Sequence, residues 1–330
     1  MSKTQKPIGG FFELELPQTG TLYHDRALAL ANGRVCFKAL LGQVQPSKVY
    51  VPFYACHSLL LPLEEQGIPY SFYGIDEKLD PEVPPVGDTE LFVYINYFGI
   101  KNETARKLSG QLGSKLVMDN TQAFFGKSHG NGWAFNSARK FFGVPDGGFL
   151  YSPEELGAGY PPNGSVIGEH LMLRHLGKQS EAFAWYQRSE AGQTLELRGM
   201  SDISRKILYG VDFPAVARAR RHNFRALHEA LRPLNAVSED LLELDAEAVP
   251  FCYPFLPSNR IPHGVFHEAG IYVPMLWQEV LDRGIAGYGF EKYFADNLLA
   301  LPVDHRVDTE DIGRMVALIL EHSSHKRSKK

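Results

Sequence analysis

Between Leu116 and Ser152 three short apolar runs follow one another, each bounded by polar or glycine residues. Leu116-Val117-Met118 ends on Asp119, Trp133-Ala134-Phe135 runs into Asn136-Ser137, and Gly147-Gly148 opens Phe149-Leu150-Tyr151. Runs this short, bounded this way, read as buried strands. Upstream, Val49–Pro52, Tyr70–Ile75 and Glu90–Asn96 read the same way, with helical stretches between them. Strands alternating with helices from 28 to 151 predict an α/β chain with a mostly parallel, doubly wound sheet. In an open sheet of this kind, ligands bind outside the carboxyl ends of the strands. Asp119 sits at one such end, and Lys140 lies just past another.

A nicotinamide-binding domain would share the alternation, but no G-x-G-x-x-G follows a strand and no P-loop is present. At 330 residues the chain is long enough for a large and a smaller domain. The expected division is an N-terminal arm over 1–24, a large domain over 25–210, and a small C-terminal α/β domain over 211–330. A net charge of -4 gives no global reason to expect nucleic-acid binding. Cys36, Cys56 and Cys252 are too few and too scattered for a disulfide framework or a zinc site, so buried free thiols are expected and no metal. The N-terminus lacks the apolar core of a signal peptide, and no apolar run approaches a membrane span. A cytoplasmic protein without membrane contact is the expectation, and the basic run His325–Lys330 reads as a solvated tail.

In the large domain, Asn32-Gly33 reads as the N-terminal cap of a helix carrying Cys36, Phe37, Leu40 and Leu41 on its apolar face. A helix starting at a glycine offers free amides to a phosphate, although a capped amphipathic helix needs no such role. Helices are also expected at about Ser58–Gln66, Asn102–Gly113, Met200–Tyr209 and Pro214–Leu231, with one long helix over Glu169–Gly192 after a Gly/Pro loop at Gly157–Gly168. Arg218, Arg220, Arg221, His222 and Arg225 crowd one of them and read as a solvated face. In the small domain, Val249–Leu256 and Gly270–Val273 read as strands, and about His263–Glu268 and Asp308–Glu321 as helices.

The ordered motifs Asp119-Asn120-Thr121-Gln122-Ala123, Ser137-Ala138-Arg139-Lys140 and Pro145-Asp146-Gly147-Gly148 resemble those of the DegT-type (DegT/DnrJ/StrS) sugar aminotransferases. These are enzymes of pyridoxal 5'-phosphate (PLP) fold type I, the aspartate-aminotransferase-like fold. The likeness spans about residues 28 to 320 and is specific around Asp119 and Lys140. It implies that Lys140 holds PLP as a Schiff base and serves as acid and base, while Asp119 keeps the ring nitrogen protonated. It also implies that Gln122 bonds the phenolic oxygen of PLP and that Ser137, or the neighbouring Asn136, holds its phosphate. The turn Asn32-Gly33-Arg34 would cradle that phosphate, although Asn-Gly-Arg departs from the family's Ser-Gly-Thr. A residue near Tyr54 or His57, with Cys56 between them, would stack on the ring. Arg139, if turned inward, would lower the Lys140 pKa.

The implied activity moves an amino group from an amino acid donor, usually glutamate, to a nucleotide-linked keto sugar. The implied assembly is a homodimer with shared active sites. Leu197-Arg198-Gly199 stands where the family often carries an Asn-Tyr-Arg segment that reaches the partner's PLP phosphate. This departure leaves two alternatives open: a non-catalytic PLP-fold binding or regulatory protein, and a PLP enzyme of another reaction type. A dehydratase of the latter kind would carry histidine in place of Lys140.

Overall fold

A strand of only three residues, β1 (Leu28–Leu30), sets the geometry of the sheet. It pairs antiparallel with β7 (Gly148–Tyr151), which pairs antiparallel with β6 (Trp133–Asn136). The remaining strands, β2 (Lys48–Pro52), β3 (Tyr70–Tyr73), β4 (Glu90–Ile95) and β5 (Leu116–Asn120), are parallel to one another and to β6. The order across the seven-stranded sheet is β1-β7-β6-β5-β4-β2-β3. Two successive antiparallel pairings cancel, so β1 runs in the direction of β5 and β6. The carboxyl ends of all six co-directional strands therefore open at one edge of the sheet, and β7 contributes its amino end there.

The structure, a computed structural model, describes Phe12 and residues 14–154, 156 and 159–324. Part of the expected arm, the start of the Gly157–Gly168 loop and the basic run from His325 lie outside the described residues. Every residue of β5 is buried, as a central strand covered on both faces requires. On the faces and edges lie α1 (Gly33–Val44), α2 (Leu61–Gln66) and α3 (Asn102–Leu112). Asn32 caps α1 by accepting from Val35 N at 2.9 Å, and the helix buries Val35, Cys36, Phe37, Leu40 and Leu41.

The long helix expected over Glu169–Gly192 is two helices, α4 (Glu169–His175) and α5 (Gln179–Ala191). Gly177 adopts φ +76°, and the turn closes with Lys178 N donating to Leu173 O at 2.9 Å. A left-handed glycine ends a helix, and the chain doubles back. Then come α6 (Asp202–Tyr209) and α7 (Phe213–Leu231). Along α7 the residues Val216, Arg220, Asn223, Phe224, Leu227 and Leu231 form a buried stripe. The arginine cluster is thus not uniformly solvated. Arg218 and Arg225 are exposed, but the Arg220 guanidinium lies under Phe141, 4.3 Å from its ring centroid, and donates to Pro250 O and Phe251 O. Burial pushes its pKa down to about 10.

The C-terminal part holds α8 (Glu239–Leu242), β8 (Cys252–Phe255), α9 (His263–Glu268), α10 (Glu279–Asp282), α11 (Gly289–Asn297), β9 (Leu299–Pro302) and α12 (Thr309–Ser324). β8 pairs antiparallel with β9. Gly270–Val273 is not a strand. Gly270, at φ +72°, ends α9, and Ile271 N turns back to Phe266 O at 2.8 Å, which removes that amide from any ladder. Cys36 and Cys252 are buried free thiols, as expected, whereas Cys56 is half-buried. Among the described residues no helix is long and apolar enough to cross a membrane.

Candidate active site

The common strand edge brings Asp119 and Lys140 together through one intermediary. Asp119, at the end of β5, is in register with Phe135 of β6 and Ile95 of β4. Its Oδ1 accepts from Thr121 N at 2.8 Å. Lys140 follows β6 in a single helical turn, is exposed, and donates from Nζ to Thr121 Oγ1 at 3.2 Å. Thr121 thus touches the carboxylate with its backbone and the amine with its side chain. Burial raises the Asp119 pKa, and Lys140 and Thr121 only partly offset it. A buried carboxylate in that state is stabilised by a further cation facing it.

The amino end of α1 enters the same edge because it follows β1 directly. Gly33 packs close to the site: a Cβ there would stand 3.1 Å from Thr121 Cγ2 and 3.5 Å from Asn136 O. Ser137 and Asn136 are buried at the end of β6, beside this helix start. Asn136 meets His24, whose ring is fully engaged. Nε2 lies 2.6 Å from Phe124 O, and Nδ1 lies 2.7 Å from the Tyr151 hydroxyl. A carbonyl only accepts, so Nε2 carries the proton and Nδ1 accepts from Tyr151. The Asn136 amide reaches the same Nε2 at 3.0 Å through Nδ2, which leaves Oδ1 without a partner among the described residues. Nδ2 is left over instead if the amide oxygen faces the Nε2 proton.

The other expected residues fall in different places. Gln122 is buried and accepts from Phe98 N at 2.9 Å, tying the turn after β5 to the turn after β4. Arg34 is half-buried in the first turn of α1. Tyr54 lies in the core, 4.5 Å from the Trp277 ring and 5.7 Å from that of Tyr97. His57 is exposed, its ring turned toward Glu64 at 3.8 Å. Between them, the Cys56 thiol feels both Lys140 and Asp119, with burial the larger influence raising its pKa. Arg139 does not turn toward Lys140 but forms an ion pair with Glu190 of α5. Thr121, Cys56, His24 and Glu190 all bear on this region. Of these, Thr121 lay inside the Asp119–Ala123 motif and Cys56 beside Tyr54 and His57, whereas His24 and Glu190 carried no sequence signal.

Leu197-Arg198-Gly199 lies against β1. Ala31 N donates to Arg198 O at 3.0 Å, Met200 N donates to Ala29 O at 3.2 Å, and Gly199 N donates to Pro161 O at 2.8 Å. Beyond it, buried Asp146 accepts from Ser201 N at 3.0 Å, Ser201 Oγ at 2.6 Å, Asn163 Nδ2 at 3.1 Å and Ser204 Oγ. This fixes the start of α6 against the Pro145–Gly148 turn.

No protein-family model matches the chain, and no curated protein matches it in sequence. Solved structures do match in shape. A DegT DnrJ EryC1 StrS aminotransferase from Brucella abortus superposes with TM-score 0.62 at 15% identity, over 90% of this chain and 86% of that one. DesV of S. venezuelae, solved with a ketimine intermediate, gives 0.61 at 16% identity over 90% and 85%. Helicobacter pylori PseC, an aminotransferase of pseudoaminic acid biosynthesis, gives 0.62 at 12% identity over 90% and 87%. The chain has the fold of these aminotransferases. It is PLP fold type I, as the sequence motifs implied.

Proposed function

We propose that this protein is a PLP-dependent aminotransferase that moves an amino group from an amino acid, with glutamate the expected donor, to a small keto substrate. The observation that carries the reading is the Asp119–Thr121–Lys140 arrangement at the carboxyl edge of the sheet, beside the amino end of α1. These residues suit PLP on two counts. Asp119 is a buried carboxylate that a ring cation would stabilise. The amides at Gly33, together with Ser137, form a polar corner suited to a phosphate. When bound there, PLP supplies an electron-withdrawing ring.

Asp119 would hold a proton on the nitrogen facing it. Lys140 Nζ, steadied by the Thr121 hydroxyl, would take and return protons at the amino carbon. Cys56 and the surrounding strand ends would shield the reacting atoms from water on one side. A keto sugar is the expected acceptor, as the resemblance of the motifs implies, and a nucleotide-linked one is the finer reading. A homodimer with shared sites is part of the same proposal. The decisive measurement is the absorbance spectrum of purified protein with PLP added, wild type beside Lys140→Ala. A visible band that bleaches with glutamate in the wild type and is missing in the variant is the expected outcome. No band in either protein would remove the assignment.

A further inference from the structure

Of the arginines crowded into α7, one is buried where folding alone gives no reason for a charge. Arg220 keeps 2% of its accessible surface and has no ion pair among the described residues. Its Nε is buried with no hydrogen-bond partner. A guanidinium in that state has lost water without gaining a carboxylate, and an apolar side chain would fill the space at less cost. What an apolar side chain lacks is the planar fork of donors.

That fork reaches both halves of the Asp119–Lys140 site. On one side its central carbon lies 4.3 Å from the centroid of the Phe141 ring, and Phe141 is the residue after Lys140. Phe141 N closes the Lys140 turn by donating to Ala138 O at 3.0 Å. On the other side Nη1 donates to Pro250 O at 3.1 Å and to Phe251 O at 3.2 Å. Phe251 N donates to Phe98 O at 2.7 Å, and Phe98 N donates to Gln122 Oε1 at 2.9 Å. This path ends in the turn that carries Asp119 and Thr121. It has little slack: Phe98 stands at φ +56°, and a Cβ on Gly99 would meet Gln122 O and Val249 O, each at 2.7 Å. The two branches also touch each other, with the Phe141 and Phe251 ring centroids 5.9 Å apart. Asn223, on the next turn of α7, fixes the helix by donating from Nδ2 to Asp304 O at 3.1 Å and to Val307 O at 2.9 Å.

We propose that Arg220 is a positioning residue: one guanidinium group sets the Lys140 turn through Phe141 and the Asp119–Gln122 turn through Phe251 and Phe98, and so fixes their spacing. A ring contact and two carbonyl bonds from a single rigid plane are beyond the lone flexible amine of a lysine. The inference rests on the aminotransferase reading only for what that spacing serves.

Amide hydrogen exchange read by mass spectrometry, without PLP, tests it on wild type, Arg220→Met and Arg220→Lys. Leu227→Ala, at another buried position of α7, is the control for packing in the same helix. Both arginine variants should speed exchange in two stretches far apart in sequence, 119–125 and 137–142, by about tenfold, the loss of one or two bonds. Leu227→Ala should speed exchange in α7 and leave those two stretches within about twofold of the wild type. With PLP added, the visible band should grow about tenfold more slowly in the arginine variants than in the control. Should neither arginine variant fold, Phe141→Leu removes the ring alone and should loosen 137–142 while leaving 119–125 as it was; an unchanged 137–142 would overturn the proposal. Exchange in either stretch that rises no more in the arginine variants than in Leu227→Ala would also overturn it, as would Arg220→Lys behaving as the wild type. Lack of a band in the wild type would strike the aminotransferase reading and leave the exchange result to decide the role of Arg220.

Discussion

Acidification should destabilise this protein through His24. The ring is buried, donates from Nε2 to Phe124 O and accepts at Nδ1 from the Tyr151 hydroxyl. A second proton would place a charge in an aromatic surround of Tyr23, Phe124 and Phe149, and would set a donor against the Tyr151 hydroxyl. Burial accordingly lowers the pKa to about 4, with Lys127 adding to the effect and the Phe124 carbonyl and Asp25 opposing it. An unfolded histidine titrates near ~6.5, so the unfolded chain holds the extra proton between the two values. Stability from this group is then complete above the unfolded pKa and is lost as pH falls toward the folded one. The full loss is about 3 kcal/mol, and about 2 kcal/mol of it falls between roughly pH 7 and pH 5. Other carboxylates titrate in the same range, so the quantity to measure is a difference. Urea unfolding of wild type and His24→Gln across that range should show the wild type losing about 2 kcal/mol more than the variant. Parallel stability curves for the two proteins would refute the reasoning, because the variant has no group to protonate there.

Two substitutions probe how the rest of the molecule holds the site. A Cβ on Gly148 would stand 2.8 Å from Asn32 C and 2.9 Å from Asn136 O, both backbone atoms. Gly148→Ala should therefore push the cap of α1 away from β6, costing about 1–3 kcal/mol in urea unfolding and weakening PLP binding in a spectral titration. Asp146→Ala should cost about 3 kcal/mol or more, because the Ser201 and Ser204 donors would be left buried without their acceptor. Restoring stability with a Ser201→Ala, Ser204→Ala pair in that background would confirm that unsatisfied donors carry the loss.

The legible parts of this chain were those fixed by local pattern. β5 and β6 are short buried runs with a polar end, so the positions of Asp119 and Asn136 followed from the residues themselves. The cap at Asn32 was legible for the same reason, a cap being a contact across three residues. What the pattern leaves open is which side chain turns inward after a strand stops. After Pro52 the chain makes a tight turn in which Tyr54 takes the core and Cys56 the site, and the outcome depends on Tyr97 and Trp277, which are distant in sequence. Arg139 shows the same limit. Its neighbour Lys140 suggested an inward role, yet a carboxylate 51 positions away holds it.

The position of Leu197-Arg198-Gly199 has a physical origin in β1. A three-residue edge strand pairs on one side only and leaves amides and carbonyls open on the other. The bonds from Ala31 N to Arg198 O and from Met200 N to Ala29 O close that side. Gly199 fits because a Cβ there would stand 2.9 Å from Tyr160 O. The backbone of this segment is thus committed to its own sheet edge. The segment holds the strand whose end becomes the cap of α1, so it bears on the start of that helix through Asn32, within the same chain.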